Sequence, residues 1–173
     1  MIKAVTRKVT AAVAMSVLLA GCSTLTAPFK EADPRWADFK SWTKVTKLEP
    51  STGDPTKFLG GLHMGAEGYR DVYVNKVAEA VLLGGAPYNY PAGSVIVKEQ
   101  FANKADWEAQ RKAAHTISVK ATASDTLAKD NWIWADSYKG TAEESAFCSG
   151  CHSIAAKDDY VFTNGDFLKT HSQ

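Results

Sequence analysis

Apolar and polar positions along this chain switch between the two-residue period of strands and the three-to-four-residue period of helices. Over residues 70–74, Arg70, Val72 and Val74 fall on one face and Asp71 and Tyr73 on the other, which predicts a strand. A second strand is predicted at 94–101 (SVIVKEQF), a third at 115–121 (HTISVKA) and a fourth at 132–138 (WIWADSY). A last short strand is expected over Tyr160–Thr163. Asn75 is a plausible N-cap for a helix over 76–83, closed by Gly84-Gly85. Trp36, Phe39 and Trp42 make one aromatic stripe on a first helix running from Pro34 to Trp42, a stripe that suits core packing. Helical spacing returns around 142–157, while 48–68 and 86–93 are rich in turn residues and read as loops. The expected fold class is α+β, a mainly antiparallel β-sheet with short helices.

Composition narrows the class. Among 173 residues, 20 Lys+Arg stand against 19 Asp+Glu, with 45% hydrophobic residues. Such a balance is ordinary for a globular protein and gives no electrostatic basis for binding nucleic acid. There are three cysteines, Cys22, Cys148 and Cys151, an odd number that cannot close a complete set of disulfides.

Cys22 belongs to the leader. Lys3, Arg7 and Lys8 form a basic start, followed by an apolar run from Ala11 to Ala20 that is short for a membrane span. Leu19-Ala20-Gly21-Cys22 resembles a bacterial lipobox, in which the cysteine becomes an acylated N-terminus. The alternative is an ordinary signal peptide cleaved near Gly21. Residues 1–21 are therefore expected to be a lipoprotein signal peptide, 22–34 a lipid anchor and tether, and 35–173 a single domain. Ser23 after the cysteine, by resemblance to the usual sorting rule, favours the outer membrane, facing the periplasm. Losing Lys3, Arg7 and Lys8 makes the mature chain slightly acidic.

The remaining cysteines carry the strongest motif. Cys148-Ser149-Gly150-Cys151-His152 is C-x-x-C-H, the attachment signature of c-type haem. On a helix, positions three and four apart share a face, so both thiols can reach one haem edge while His152 supplies an axial nitrogen. A redox dithiol would need a thioredoxin-like βαβ context, and structural zinc would need four ligands. One motif implies one covalent haem c.

The sixth iron position has five candidates: Met64, His63, His115, His171 and Lys98. None stands out, which favours an open iron. Two charges are candidates for the ligand side. Arg70 starts an otherwise apolar strand face, where snorkelling to water is the bland account. Lys98 shares a face with Ile96, and Glu99 shares the other with Val95, Val97 and Phe101. Whichever face packs inward, one charge approaches the interior, unless Lys98 and Glu99 pair at a strand edge. Glu143 and Glu144 precede the haem motif, as a solvated helix N-terminus also would.

In order along the chain, Tyr69-Arg70-Asp71-Val72-Tyr73-Val74-Asn75, Gly93-Ser94-Val95-Ile96-Val97-Lys98-Glu99, Trp132-Ile133-Trp134, C-x-x-C-H and Asp159-Tyr160-Val161-Phe162-Thr163 resemble the cytochrome P-460 family. The resemblance covers roughly residues 35–168. It implies a β-rich, homodimeric, periplasmic mono-haem protein that oxidises hydroxylamine and passes electrons to a soluble electron-transfer cytochrome. It further implies that Lys98 is bonded to a meso carbon of the haem, that Arg70 lies on the distal side, and that His152 is proximal. A sister group, cytochrome c′-beta, shares the fold, lacks the lysine bond and binds nitric oxide. Simple electron transfer is a third expectation.

Overall fold

The computed structural model describes residues 30–53, 68–122 and 131–172. Cys22, His63 and Met64 lie outside the described residues, as does the whole expected leader. Six strands are described: β1 (Thr43–Lys44), β2 (Ser51–Thr52), β3 (Tyr69–Val74), β4 (Val95–Phe101), β5 (Ala114–Lys120) and β6 (Trp132–Ala135). They form one antiparallel sheet in the order β1-β3-β4-β5-β6, with β2 also pairing β3. The helices are α1 (Lys76–Gly84), α2 (Lys104–Glu108), α3 (Ala146–His152) and α4 (Gly165–His171). The α+β reading of the sequence holds.

Local signals explain several boundaries. Asn75 caps α1 by accepting from the Ala78 amide at 3.0 Å. Asn103 does the same for α2 through the Asp106 amide, and Ser145 for α3 through the Cys148 amide. Other expectations need correction. The segment from Pro34 to Trp42 is turns and a short 3-10 helix, Phe39–Ser41, and Trp36 and Phe39 are nonetheless buried. The strand at 132 ends at Ala135, and the helix predicted over 142–157 is α3 followed by a 3-10 helix, Ser153–Asp158. Tyr160–Thr163 is not a strand: Asp159 and Tyr160 both have positive φ, which turns the chain there.

Both faces of the sheet are covered. One packs Val95, Val97, Ile117, Val119 and Ala135 against Trp36 and Phe39 of the N-terminal segment. The other packs Val72, Val74, Ile96, Trp132 and Trp134 against α1, Tyr88, Tyr90, Val161 and Leu168. Strand alternation therefore sends every side chain of β4, the middle strand, into one packed layer or the other.

That arrangement decides the charges. Glu99 and Asp71 sit directly opposite each other across β3 and β4, on the Trp36 face, and are 3% and 0% exposed. Like charges opposed in a sheet repel, so each has its own donors. Glu99 bonds Lys40 and lies 3.3 Å from His115 Nε2. Asp71 accepts from Lys44, Thr46, Trp107 and Gln110 at 2.8–3.2 Å. Lys98 and Glu99 thus point to opposite faces, and a pair between them at a strand edge is ruled out by the alternation. Arg70 does not snorkel either: it is 2% exposed on the Lys98 face.

Candidate functional site

The Lys98 face of the sheet carries a cleft beside the C-x-x-C-H helix. Its wider lobe, about 860 Å³, is lined by Cys148, Cys151 and His152 together with Gln100, Trp134 and Phe147. A smaller inner lobe, about 70 Å³, lies among Lys98, Ile96, Trp132, His152, Phe162 and Thr163. Thr116, Ser118, Trp134 and His152 line both. The wider lobe falls in the size range of sites that enclose a cofactor.

Helix α3 presents the motif as its spacing requires. Cys148 and Cys151 are half-buried, unpaired with any disulfide, and one turn apart on the cleft side. His152 ends the helix. Its Nδ1 donates to the Tyr160 carbonyl at 2.7 Å, so Nε2 is the nitrogen left to bind a metal. The ring is flanked by Trp134 at 6.0 Å and Phe162 at 5.1 Å between centroids.

Lys98 belongs to the same cleft. It lies opposite Val72 on β3 and Thr116 on β5. Burial pushes its amine down to about 7, with the Arg70 cation adding to the effect and Cys151 and Cys148 opposing it. Near neutral pH the neutral amine is therefore far more favoured at Lys98 than at an exposed lysine. Arg70 is on this face, opposite Gln100, yet it is not among the residues lining either lobe. The structure thus brings Lys98, Cys148, Cys151 and His152 to one cleft and leaves Arg70 one row back.

Candidates for the sixth position separate by face. His115 is on the far side of the sheet beside Glu99, with Phe39 and Tyr138 around its ring. His171 is on α4, its ring tilted against Phe167 at 4.2 Å between centroids and facing Glu49, and lines neither lobe. Glu143 and Glu144 are not in a helical turn. Both line the wider lobe as exposed groups, and Glu143 pairs its backbone with Trp134.

Sequence reading missed Gln100, Thr116 and Ser118. For Gln100 the signal was in the sequence, since it shares the parity of Lys98 on β4, whereas Thr116 and Ser118 are reached only through the register that pairs them with Lys98 and Ile96. Two buried polar atoms on this wall, Trp134 Nε1 and Gln100 Oε1, have no hydrogen-bond partner among the described residues. Buried polar groups are nearly always satisfied, so these two are consistent with a further group filling the cleft. Paired thiols, a directed imidazole nitrogen and an aromatic wall fit a haem.

The family model for cytochrome P460 matches residues 36–163. The chain belongs to the cytochrome P460 family. It is accordingly a haem-binding c-type cytochrome, and the matched span runs from the Trp36 core residue through the cleft to Thr163. A comparison with curated proteins gives no match. Within this family member, Cys148, Cys151 and His152 are the residues able to hold the haem, with Trp134 and Phe162 against the imidazole.

Proposed function

We propose that this cytochrome oxidises hydroxylamine at an open iron position, with a single haem bonded through Cys148 and Cys151 and ligated by His152. Bound haem supplies an iron that takes electrons from its nitrogenous ligand. The chain's own residues do the rest. His152 is held in one tautomer by Tyr160, and Trp134 and Phe162 restrict its ring. Lys98, its neutral form favoured by burial, is the amine available to bond the macrocycle or to take a proton. Arg70 supplies a buried positive charge one row from Lys98.

The observation that carries the reading is the place of the Lys98 amine in the same inner lobe as His152, where burial favours its neutral form. A lone pair at that position can modify the macrocycle or accept a proton from a hydroxylamine N–H or O–H. Nitric oxide carries no proton to give up, so a binding protein for it has no use for such a base. Lys98, Gln100, Thr116 and Ser118 also make the wall more polar than binding of a diatomic alone requires. For electron transfer alone, Lys98 is the one sixth-ligand candidate among the described residues that lines the cleft, and neither His115 nor His171 does.

Cys22 acylation, an outer-membrane anchor facing the periplasm, a homodimeric assembly and a soluble electron-transfer cytochrome as acceptor complete the proposal. They rest on the lipobox and the family resemblance. Purified holoprotein given hydroxylamine and a soluble electron acceptor tests the activity. Sustained electron release that falls sharply in Lys98→Arg at equal haem content supports oxidation. Nitric oxide binding with no turnover of hydroxylamine would replace it with the binding reading.

A further inference from the structure

Four contacts converge on the turn that follows the haem motif. Asp159 adopts the left-handed conformation (φ 53°, ψ 43°), and Tyr160 follows with φ 66°. Aspartate visits this region readily, but a bulky aromatic residue does not, so the second position must be imposed by its surroundings. Asp159 supplies the means. Its Oδ1 bonds Lys120 of β5 at 2.7 Å, with both side chains largely buried. Its Oδ2 accepts the Tyr90 amide at 2.8 Å, and its carbonyl accepts the Trp132 indole of β6 at 2.9 Å. Lys120 also lies over the Trp132 ring at 5.1 Å, and the two residues are register partners across β5 and β6. The next carbonyl along, that of Tyr160, is the acceptor for His152 Nδ1.

We propose that Asp159 is the positioning residue for the axial histidine: clamped by Lys120, the Tyr90 amide and the Trp132 indole, it fixes the turn that aims the Tyr160 carbonyl at His152. Asp159 does not touch the imidazole and is not itself part of the cleft lining, which it meets through the Trp132 indole. It acts through one carbonyl, and Lys120 is its counterpart on the sheet. The consequence is electronic. A short Nδ1–H···O=C bond makes an imidazole a stronger donor, which favours the ferric state over the ferrous one. Slackening the clamp weakens that donation, whatever the ligand on the other side of the iron.

The proposal rests on His152 being the iron ligand, and the test separates the two. Holoprotein is prepared as wild type, Asp159→Asn, Asp159→Ala and Lys120→Met. Covalent haem content, midpoint potential and the ferrous iron–histidine stretching band are measured for each. With haem content unchanged, Asp159→Ala and Lys120→Met are expected to raise the potential and move the band to lower frequency. Asp159→Asn, which keeps an acceptor for the Tyr90 amide but loses the charge facing Lys120, is expected to lie between them and wild type. If Asp159→Ala fails to fold, Lys120→Met breaks the same clamp from the strand side and decides the matter. Wild-type potential and band position in folded Lys120→Met and Asp159→Asn would overturn the clamp. Absence of an iron–histidine band in a ferrous wild type whose optical spectrum is five-coordinate and high-spin would overturn the ligand assignment instead. Glu99→Gln, a change on the other face of the sheet, is the control and is expected to leave both readouts in place.

Discussion

Lys98 and Glu99 are consecutive residues of β4, yet Lys98 opens into the cleft beside His152 while Glu99 is buried on the opposite face against Lys40 and His115. Two charged side chains at the centre of one sheet therefore do different work. Glu99 is satisfied inside the scaffold, whereas Lys98 is enclosed by residues that favour its neutral form.

Arg70 contributes to that neutral form. Its cation is the second cause, after burial, of the lowered Lys98 amine. Arg70→Met should therefore raise the Lys98 pKa part of the way towards the ordinary lysine value. In protein matured near pH 7, the yield of haem-linked lysine is expected to fall while thioether attachment stays complete. Mass analysis of the haem-bearing fragments reads both.

Glu99 makes a pH prediction. Burial pushes its carboxyl up, but the hydrogen bonds from His115 and Lys40 outweigh that and hold it below the ordinary value of 4.5. A carboxyl lowered on folding stabilises the protein above its unfolded-state pKa, and that contribution is lost as pH falls through the lowered one. Glu99→Gln is expected to cost about 1–3 kcal/mol at neutral pH. The cost should shrink below pH 4.5, as wild-type Glu99 itself takes up a proton. Chemical denaturation across that range measures it.

Asp71 is a purely structural anchor. Its fully buried carboxylate joins Lys44 of β1, Thr46, Trp107 of α2 and Gln110. Asp71→Ala removes the shared acceptor and leaves several donors unsatisfied, for an expected loss of about 3–5 kcal/mol. Haem attached to the surviving folded fraction should keep its wild-type spectrum, because Asp71 points away from the cleft. A changed spectrum at full occupancy would contradict that separation of faces.

Much of this was legible in the sequence for physical reasons. The period-2 runs located β3 to β6 because a sheet covered on both sides still alternates its side chains between two layers. C-x-x-C-H gave the cleft residues because the spacing itself is helical. What failed was decided by tertiary contacts. Arg70 reads as a strand-end residue until β4 and the rest of the sheet enclose it. Val161 and Thr163 look like strand positions, but the left-handed pair Asp159-Tyr160, held by Lys120 and Trp132 from distant parts of the chain, turns that segment towards His152. Thr116 and Ser118 needed the β4–β5 register before they could be assigned to the cleft wall.

The central proposal is that one haem is bonded to Cys148 and Cys151 and that, of the two uses open to the Lys98 amine, bonding to the same macrocycle is the one taken. Intact mass of the purified holoprotein, compared with Lys98→Arg and read beside the optical spectrum, tests it most directly. The account predicts polypeptide plus one haem less two hydrogens, the lysine N–H and the meso C–H being lost to a two-electron oxidant during maturation, with an absorption spectrum unlike that of ordinary haem c, both reverting in Lys98→Arg. A mass of polypeptide plus unmodified haem c, with an ordinary c-type spectrum in both proteins, would contradict it.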